Sequence, residues 1–476
     1  MMLLLAAAVF VGSQACRPCH SAIADAYART PMARSSGPVD SVLPAVFTAA
    51  GHRYRIANNR LSFDQGSATF DFFVGSNTAG RSYLFRREGY LYELPVTWYA
   101  QKKIWDASPG YEREPDVRLN RPIDPTCLSC HASRARPVLG TQNRYGDPPF
   151  LDNGISCERC HGAGSDHISN PAIARMANPA KLEADRRDSV CIQCHMTGGA
   201  RIERPGRRFV DYRAGDKLAD FVTYFVWNSA DQPLKVTSHV ERLAQSKCKL
   251  ASGDKLWCGT CHEPHTNANR TQQACLGCHA TAHHQEESCA GCHMPKTAAA
   301  DVGHGELTDH GILRTPNRRP APQARPELIA FLGSSDDRSL GLAYSELQDP
   351  RAREYLLRAQ PADVEVTLHL AAIERDPKRA ASLYEAVLRA DPGRPAALVN
   401  LGVIYANAGQ IDQAAKLWER ALEGNPALEG AAVNLAQVRS PAQARVILER
   451  YLEFDPGSSA VRKLIDAITR SAPPKP

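Results

Sequence analysis

The sequence predicts a mainly α fold: an array of short helical turns with a small antiparallel β insertion, followed by an α-helical solenoid. Three observations predict it. The motif Cys-x-x-Cys-His recurs seven times between Cys16 and His293. Beyond about residue 350 a cysteine-free helical pattern repeats every 34 residues. One stretch, about residues 50–100, alternates in the way of paired strands.

The cysteine pairs are Cys16/Cys19, Cys127/Cys130, Cys157/Cys160, Cys191/Cys194, Cys258/Cys261, Cys275/Cys278 and Cys289/Cys292, fourteen of the fifteen cysteines. Each pair is followed by a histidine: His20, His131, His161, His195, His262, His279 and His293. A zinc ribbon explains CxxC pairs but not a histidine at the fifth position every time, and it takes its pairs in twos. A disulfide framework has the same defect. The pattern is that of c-type haem attachment. Two thiols three residues apart lie on one side of a helical turn, where they add to the two vinyl groups of one porphyrin, and the next residue is placed beneath the iron. Seven c-type haems (heme c, Fe) are the expected cofactors, with the seven histidines as proximal iron ligands. Cys248 has no partner in the pattern; it reads as a buried inert thiol, against an axial ligand or an intermolecular disulfide.

The length of 476 residues allows two to three domains. The formal charge of +6 omits the haem propionates, roughly fourteen negative charges for seven haems. A holoprotein near neutrality gives little support to nucleic-acid binding, which is not expected. Residues 1–12 resemble the apolar centre of a secretory signal without its basic n-region, as in a truncated start, and are too short to span a membrane. No other segment reads as transmembrane. Covalent haem attachment in bacteria takes place outside the cytoplasmic membrane, so a periplasmic or extracellular location is expected.

Residues 13–314 form the expected haem domain. Met32 is a possible sixth ligand for the first haem, with packing as the simpler reading. In the β insertion, Arg53–Ile56 and Arg60–Phe63 around Asn58-Asn59 read as one hairpin. Ser82–Phe85 and Tyr90–Glu93 around Arg87-Glu-Gly89 read as a second. The histidines outside the motifs are the candidate distal ligands. His52 opens the β insertion, and His167 follows a glycine turn after His161. His239 lies in the first turn of a helix opened by the capping box Ser238-His-Val-Glu241. His265, His283 and His284 fall within the last three motifs, and His304 and His310 just beyond. His265 stands three residues from His262, a reach of about 10 Å, so as a ligand it must serve a neighbouring haem. Eight candidates for seven positions can close every haem; His369, far from any motif, is set aside as a helix residue.

Residues 315–350 read as a Pro/Arg-rich linker and lead-in, and 351–470 as a tetratricopeptide repeat (TPR) domain. Asp391-Pro392 and Asn425-Pro426 are 34 residues apart, and Leu398, Leu401, Gly402, Tyr405, Ala414, Trp418, Ala421 and Pro426 fall on the consensus positions. Such an array typically offers a surface to another chain. The expectation is a separable module that docks a partner or a second copy.

With these motifs in view the chain resembles the exported multihaem cytochromes c that carry a C-terminal TPR domain. Its haem part resembles the superfamily of the four-haem cytochrome of hydroxylamine oxidation and the multihaem nitrite and tetrathionate reductases. The resemblance rests on the CxxCH set, His262/His265, the CHGxGxxH run to His167, and Cys-His-Met-Pro at Cys292 to Pro295. It implies mainly bis-histidine haems in an electron-transfer chain with redox protein partners. The CxxCK motif of those reductases does not occur here. An electron carrier with no catalytic residues of its own is therefore expected. The alternative is an oxidoreductase acting on a small nitrogen or sulfur compound at one open haem, and the haem at His20 is where an open position is expected.

Overall fold

The structure is a computed structural model that describes residues 9–229, 232–279, 288–314 and 326–471. His283, His284 and the Pro/Arg-rich run 315–325 lie outside the described residues, as do residues 1–8 of the apolar start.

Between the first and second motifs the chain forms nine strands: β1 (Ser36–Pro38), β2 (Ala45–Ala49), β3 (His52–Ala57), β4 (Arg60–Phe63), β5 (Gly66–Thr69), β6 (Phe72–Val74), β7 (Gly80–Arg87), β8 (Tyr90–Tyr99) and β9 (Ile104–Ala107). They make two antiparallel sheets, ordered β1-β6-β7-β8-β9 and β2-β3-β4-β5. The hairpins form where the turn chemistry places them. Asn58 and Asn59 both take positive φ, 52° and 53°, as do Glu88 and Gly89, 53° and 85°; this two-residue turn matches strand twist. Alternation then sorts the side chains of β7. Tyr83 and Phe85 enter a core shared by both sheets, with Tyr54, Ile56, Leu61 and Tyr92. Leu84 faces the other way, onto Leu128 of the second attachment turn.

The remaining strands are β10 (Ser133–Pro137), β11 (Tyr145–Asp152), β12 (Ala200–Glu203), β13 (Val222–Trp227), β14 (His262–Glu263), β15 (Ala268–Asn269), β16 (Lys296–Ala298), β17 (Glu306–Thr308) and β18 (Leu328–Leu332). Helix makes up 41% and strand 20%, with six sheets among the described residues. The fold is mixed α and β, which corrects the mainly α expectation. One reason is that attachment turns end almost as they begin: Glu158–His161, Cys258–Cys261 and Cys289–His293 are helices of four or five residues. Another is β13, Val-Thr-Tyr-Phe-Val-Trp, an almost wholly buried run between β12 and β18. A strand covered on both faces shows no alternation to read. β18 and the helix Asp337–Glu346, which packs with β12 and β13 in one core, occupy the segment expected as linker and lead-in.

Seven helices follow from Val364–Ile373 to Ser459–Ser471. In the central repeat Gly402 lets Trp418 lie against the helix backbone: a Cβ there would meet the indole nitrogen at 2.4 Å. The indole N–H donates to the Val399 carbonyl at 3.1 Å. These helices are not set apart from the β sheets. Ala427, from the loop after one repeat, and Phe454, the last residue of the helix Pro441–Phe454, belong to the core of the β2–β9 region. Tyr92 Oη donates to Asn425 Oδ1 at 2.9 Å, and Tyr90 Oη to the Glu423 carbonyl at 2.6 Å.

Candidate haem-binding site

Each attachment motif is one helical turn. The His20 N–H donates to the Cys16 carbonyl at 3.0 Å, His161 to Cys157 at 3.0 Å and His279 to Cys275 at 2.9 Å. This turn puts both thiols and the histidine on neighbouring faces of one coil. The buried Glu158, inside the third motif, accepts from the N–H groups of Val11, Gly12 and Gly164 at 2.7–2.9 Å, which ties the first motif to the third.

The seven motifs surround a single continuous cavity of about 3710 Å³, several times the ~1,000 Å³ upper end of ordinary small-molecule pockets. It is lined by motif cysteines from Cys16 to Cys289, by all seven proximal histidines, and by His167, His239, His265 and His310. The added histidines face proximal ones. Ring centres are 6.4 Å apart for His20 and His167, with planes 16° from parallel. They are 5.8 Å apart for His161 and His265, 6.1 Å for His262 and His310, and 5.2 Å for His195 and His239. An imidazole nitrogen sits ~2 Å from a bound metal, so two rings on opposite sides of one iron have centres roughly 6 Å apart. The side chains fit the group.

Second partners orient the rings. Nδ1 donates to a backbone carbonyl at 2.7 Å in His161 (Ala177), His167 (Ala174) and His293 (Leu313), and at 3.0 Å in His310 (Thr308). His265 Nδ1 meets Glu263 Oε1 at 3.1 Å. That tautomer leaves the Nε2 lone pair for iron. Burial pushes His131, His161, His195, His262 and His310 below the ordinary imidazole value. Burial beside His195 and His310 pushes His239 down to about 3. A ligating imidazole must be neutral, and burial favours that form.

His52 and His304 lie outside this cavity. His52 stands on β3 opposite Ala49, and His304 Nε2 is bonded to Asp106 Oδ2 at 2.6 Å with its ring on Tyr99. His369 bonds Ser345 Oγ at 2.7 Å. Met32 and Cys248 line the cavity. The position expected to be open, opposite His20, faces His167 instead.

Thiols of different motifs are brought together. The free thiols of Cys16 and Cys157, of Cys130 and Cys194, of Cys191 and Cys258, and of Cys275 and Cys289 are close neighbours. Cys275 also lies near Cys261, and Cys160 near Cys191 and Cys194. The motifs therefore run first, third, fourth, fifth, sixth, seventh, with the second branching from the fourth.

Sequence reasoning missed the pair that joins two distal elements. Arg242, three residues after His239, donates through Nε to Asp309 Oδ1 at 2.9 Å, and Asp309 precedes His310. Burial raises the Asp309 carboxyl, but the bonds from Arg242 and from the Gly311 N–H outweigh it and hold the group below the usual range. A depressed carboxylate contributes stability above its unfolded value and loses it as pH falls through the folded one. Asp309→Asn is expected to cost roughly 2–3 kcal/mol at neutral pH. The gap from the parent should close below about pH 4, as read by thermal melts across pH. A gap independent of pH would show that Asp309 is not held as a carboxylate.

Comparison with known proteins gives two family matches. The model for cytochrome c554 and c-prime matches residues 100–162, and a tetratricopeptide-repeat model matches 371–438. No curated protein matches. Among solved structures, the outer cell wall cytochrome OcwA is 16% identical with a TM-score of 0.44, covering 87% of this chain and 99% of its own. MamA AMB-1 is 21% identical with a TM-score of 0.25, covering 28% of this chain and 79% of its own. The family matches support a cytochrome c stretch and tetratricopeptide repeats in this chain. No helix among the described residues is long and apolar enough to cross a membrane.

Proposed function

We propose that this chain binds seven c-type haems and passes electrons between redox protein partners outside the cytoplasm, with its TPR helices as a docking surface. The observation that carries the reading is the set of four facing imidazole pairs in one cavity. A bound c-type haem takes up and gives back one electron at a time. The chain's residues do the rest. Paired imidazoles would hold the iron from both sides, and the Nδ1 bonds of His161, His167, His265 and His310 would fix those rings so that little reorganises when charge changes. Neighbouring thiols of different motifs would hold the attached groups close to one another. Export follows from where such attachment occurs.

Intact mass after denaturation is expected to show seven haems per chain, in agreement with haem stain and iron content. Six or fewer in fully matured protein would overturn the count.

A further inference from the structure

The spacer residues of three attachment motifs interlock. Arg159 Nη2, in the third motif, donates to the Ser129 carbonyl of the second at 3.1 Å, and the Arg159 carbonyl accepts from Gln193 Nε2 of the fourth at 3.2 Å. Cys130 Sγ lies 3.5 Å from the Gln193 carbonyl, which closes the triangle. Gln193 is 3% exposed, so the junction is interior. It is also the point at which the second motif branches from the fourth.

Positive charge is gathered there without a counter-ion. Arg159 stands near the thiols of Cys130, Cys160 and Cys194, and Arg201 near that of Cys130. Arg201 lays its guanidinium 3.9 Å over the buried Phe209 ring. Glu203 and Glu346 lie within electrostatic reach of Arg201, but among the described residues neither Arg159 nor Arg201 makes an ion pair. Arg159 Nε is buried with no hydrogen-bond partner, and the hydroxyl of Tyr212, within reach of Arg159, has none either. Burial, with Arg159 beside it, pushes Arg213 below its ordinary value. Glu158, next to Arg159 in sequence, is already taken by the N–H groups of Val11, Gly12 and Gly164. A guanidinium keeps its charge at any working pH. An unpaired one in the interior costs stability, and its field is felt more strongly there than in water.

We propose that Arg159, reinforced by Arg201, raises the reduction potential of the haem groups attached at this junction, so that an electron is held preferentially where the motifs branch. This rests on the reading of the second, third and fourth motifs as haem attachments. The physical step is Coulombic. Adding an electron beside a fixed positive charge is favoured, and removing that charge disfavours it.

The test is a redox titration of the full-length holoprotein, followed by visible absorption and electron paramagnetic resonance. In Arg159→Gln at least one haem component is expected to lose roughly tenfold in its reduction equilibrium, a fall of about 59 mV for one electron. Arg159→Lys, which keeps the charge, should keep most of the parent potential. Arg201→Gln should move the same component in the same direction by a smaller step. Arg445→Gln, on the exposed side of the helix Pro441–Phe454, should leave the titration unchanged. A titration of fully loaded Arg159→Gln that superimposes on the parent overturns the proposal. So does an Arg159→Lys shift as large as that of Arg159→Gln, which makes packing and not charge the cause. If Arg159→Gln fails to load haem, Arg201→Gln, outside the motifs, carries the test alone, and an unshifted titration there overturns the proposal. Peptide masses that find Cys130, Cys160 and Cys194 unmodified in the parent would overturn the haem reading itself, a distinguishable failure.

Discussion

Replacing Asp455 by alanine is expected to lower the stability of the chain by about 3–5 kcal/mol, the cost of leaving a buried charge unpaired. The Asp455 side chain is 0% exposed and Arg118 is 18% exposed, with Nε to Oδ2 at 2.7 Å. Asp455 also accepts from the Leu119 N–H at 2.7 Å and from Tyr451 Oη at 2.8 Å. Arg118 reaches Glu429 as well, at 2.5 Å, and Glu429 accepts from Ser458 Oγ at 2.9 Å. The network fastens the last repeats to the strand region, and Gly457 closes on it so tightly that a Cβ would stand 1.7 Å from the Val117 carbonyl. The separable TPR module expected from the linker is therefore not what this packing favours. A chain ending near residue 320 loses Phe454 from the β core and β18 from its sheet, and should unfold or aggregate rather than keep its visible spectrum. Thermal melts of Asp455→Ala and the Arg118→Ala/Asp455→Ala double variant measure this. The double variant should be less than additive, because both changes remove the same interaction. A melt of Asp455→Ala within 1 kcal/mol of the parent would show that the interface does not form.

What the sequence disclosed was local. The seven turns, the Asn58-Asn59 hairpin and the Gly402/Trp418 repeat each rest on spacings within a single element, where one coil or one turn fixes the chemistry. What it hid is long-range or two-sided. Nothing in the residues around His20 names His167 as its partner, and Arg118 and Asp455 are 337 positions apart. β13 reads as an undifferentiated apolar run because both faces are covered. His304 seemed as eligible as His310 until Asp106, from a distant strand, claimed its Nε2. His265 was constrained more sharply, since its short tether to His262 obliged it to serve another motif, and it faces His161.

That crossing gives the second large effect. His265→Ala is expected to convert the haem at Cys157 and Cys160 from bis-histidine to one with an open face. The change should be complete at that position: a high-spin signal of one iron per chain, and carbon monoxide binding to the reduced protein at the same stoichiometry. Any high-spin component of the parent would remain beside it. The physical reason is steric as well as chemical. His265 is held by Glu263, which Arg270 also engages, on a two-stranded hairpin with β14 paired to β15, and the other added histidines of the cavity, His167, His239 and His310, stand against different proximal rings. His161 stays anchored on the Ala177 carbonyl and keeps its iron. Two controls carry the assignment. His304→Ala and His52→Ala, outside the cavity, should leave every low-spin signal in place. Glu263→Ala should broaden the His265 signals without opening the haem, because it removes the orienting partner and not the ligand. If His265→Ala stays wholly low-spin at that haem and binds no carbon monoxide, the facing rings of His161 and His265 are packing alone, and the ligand set must be drawn again from the remaining histidines.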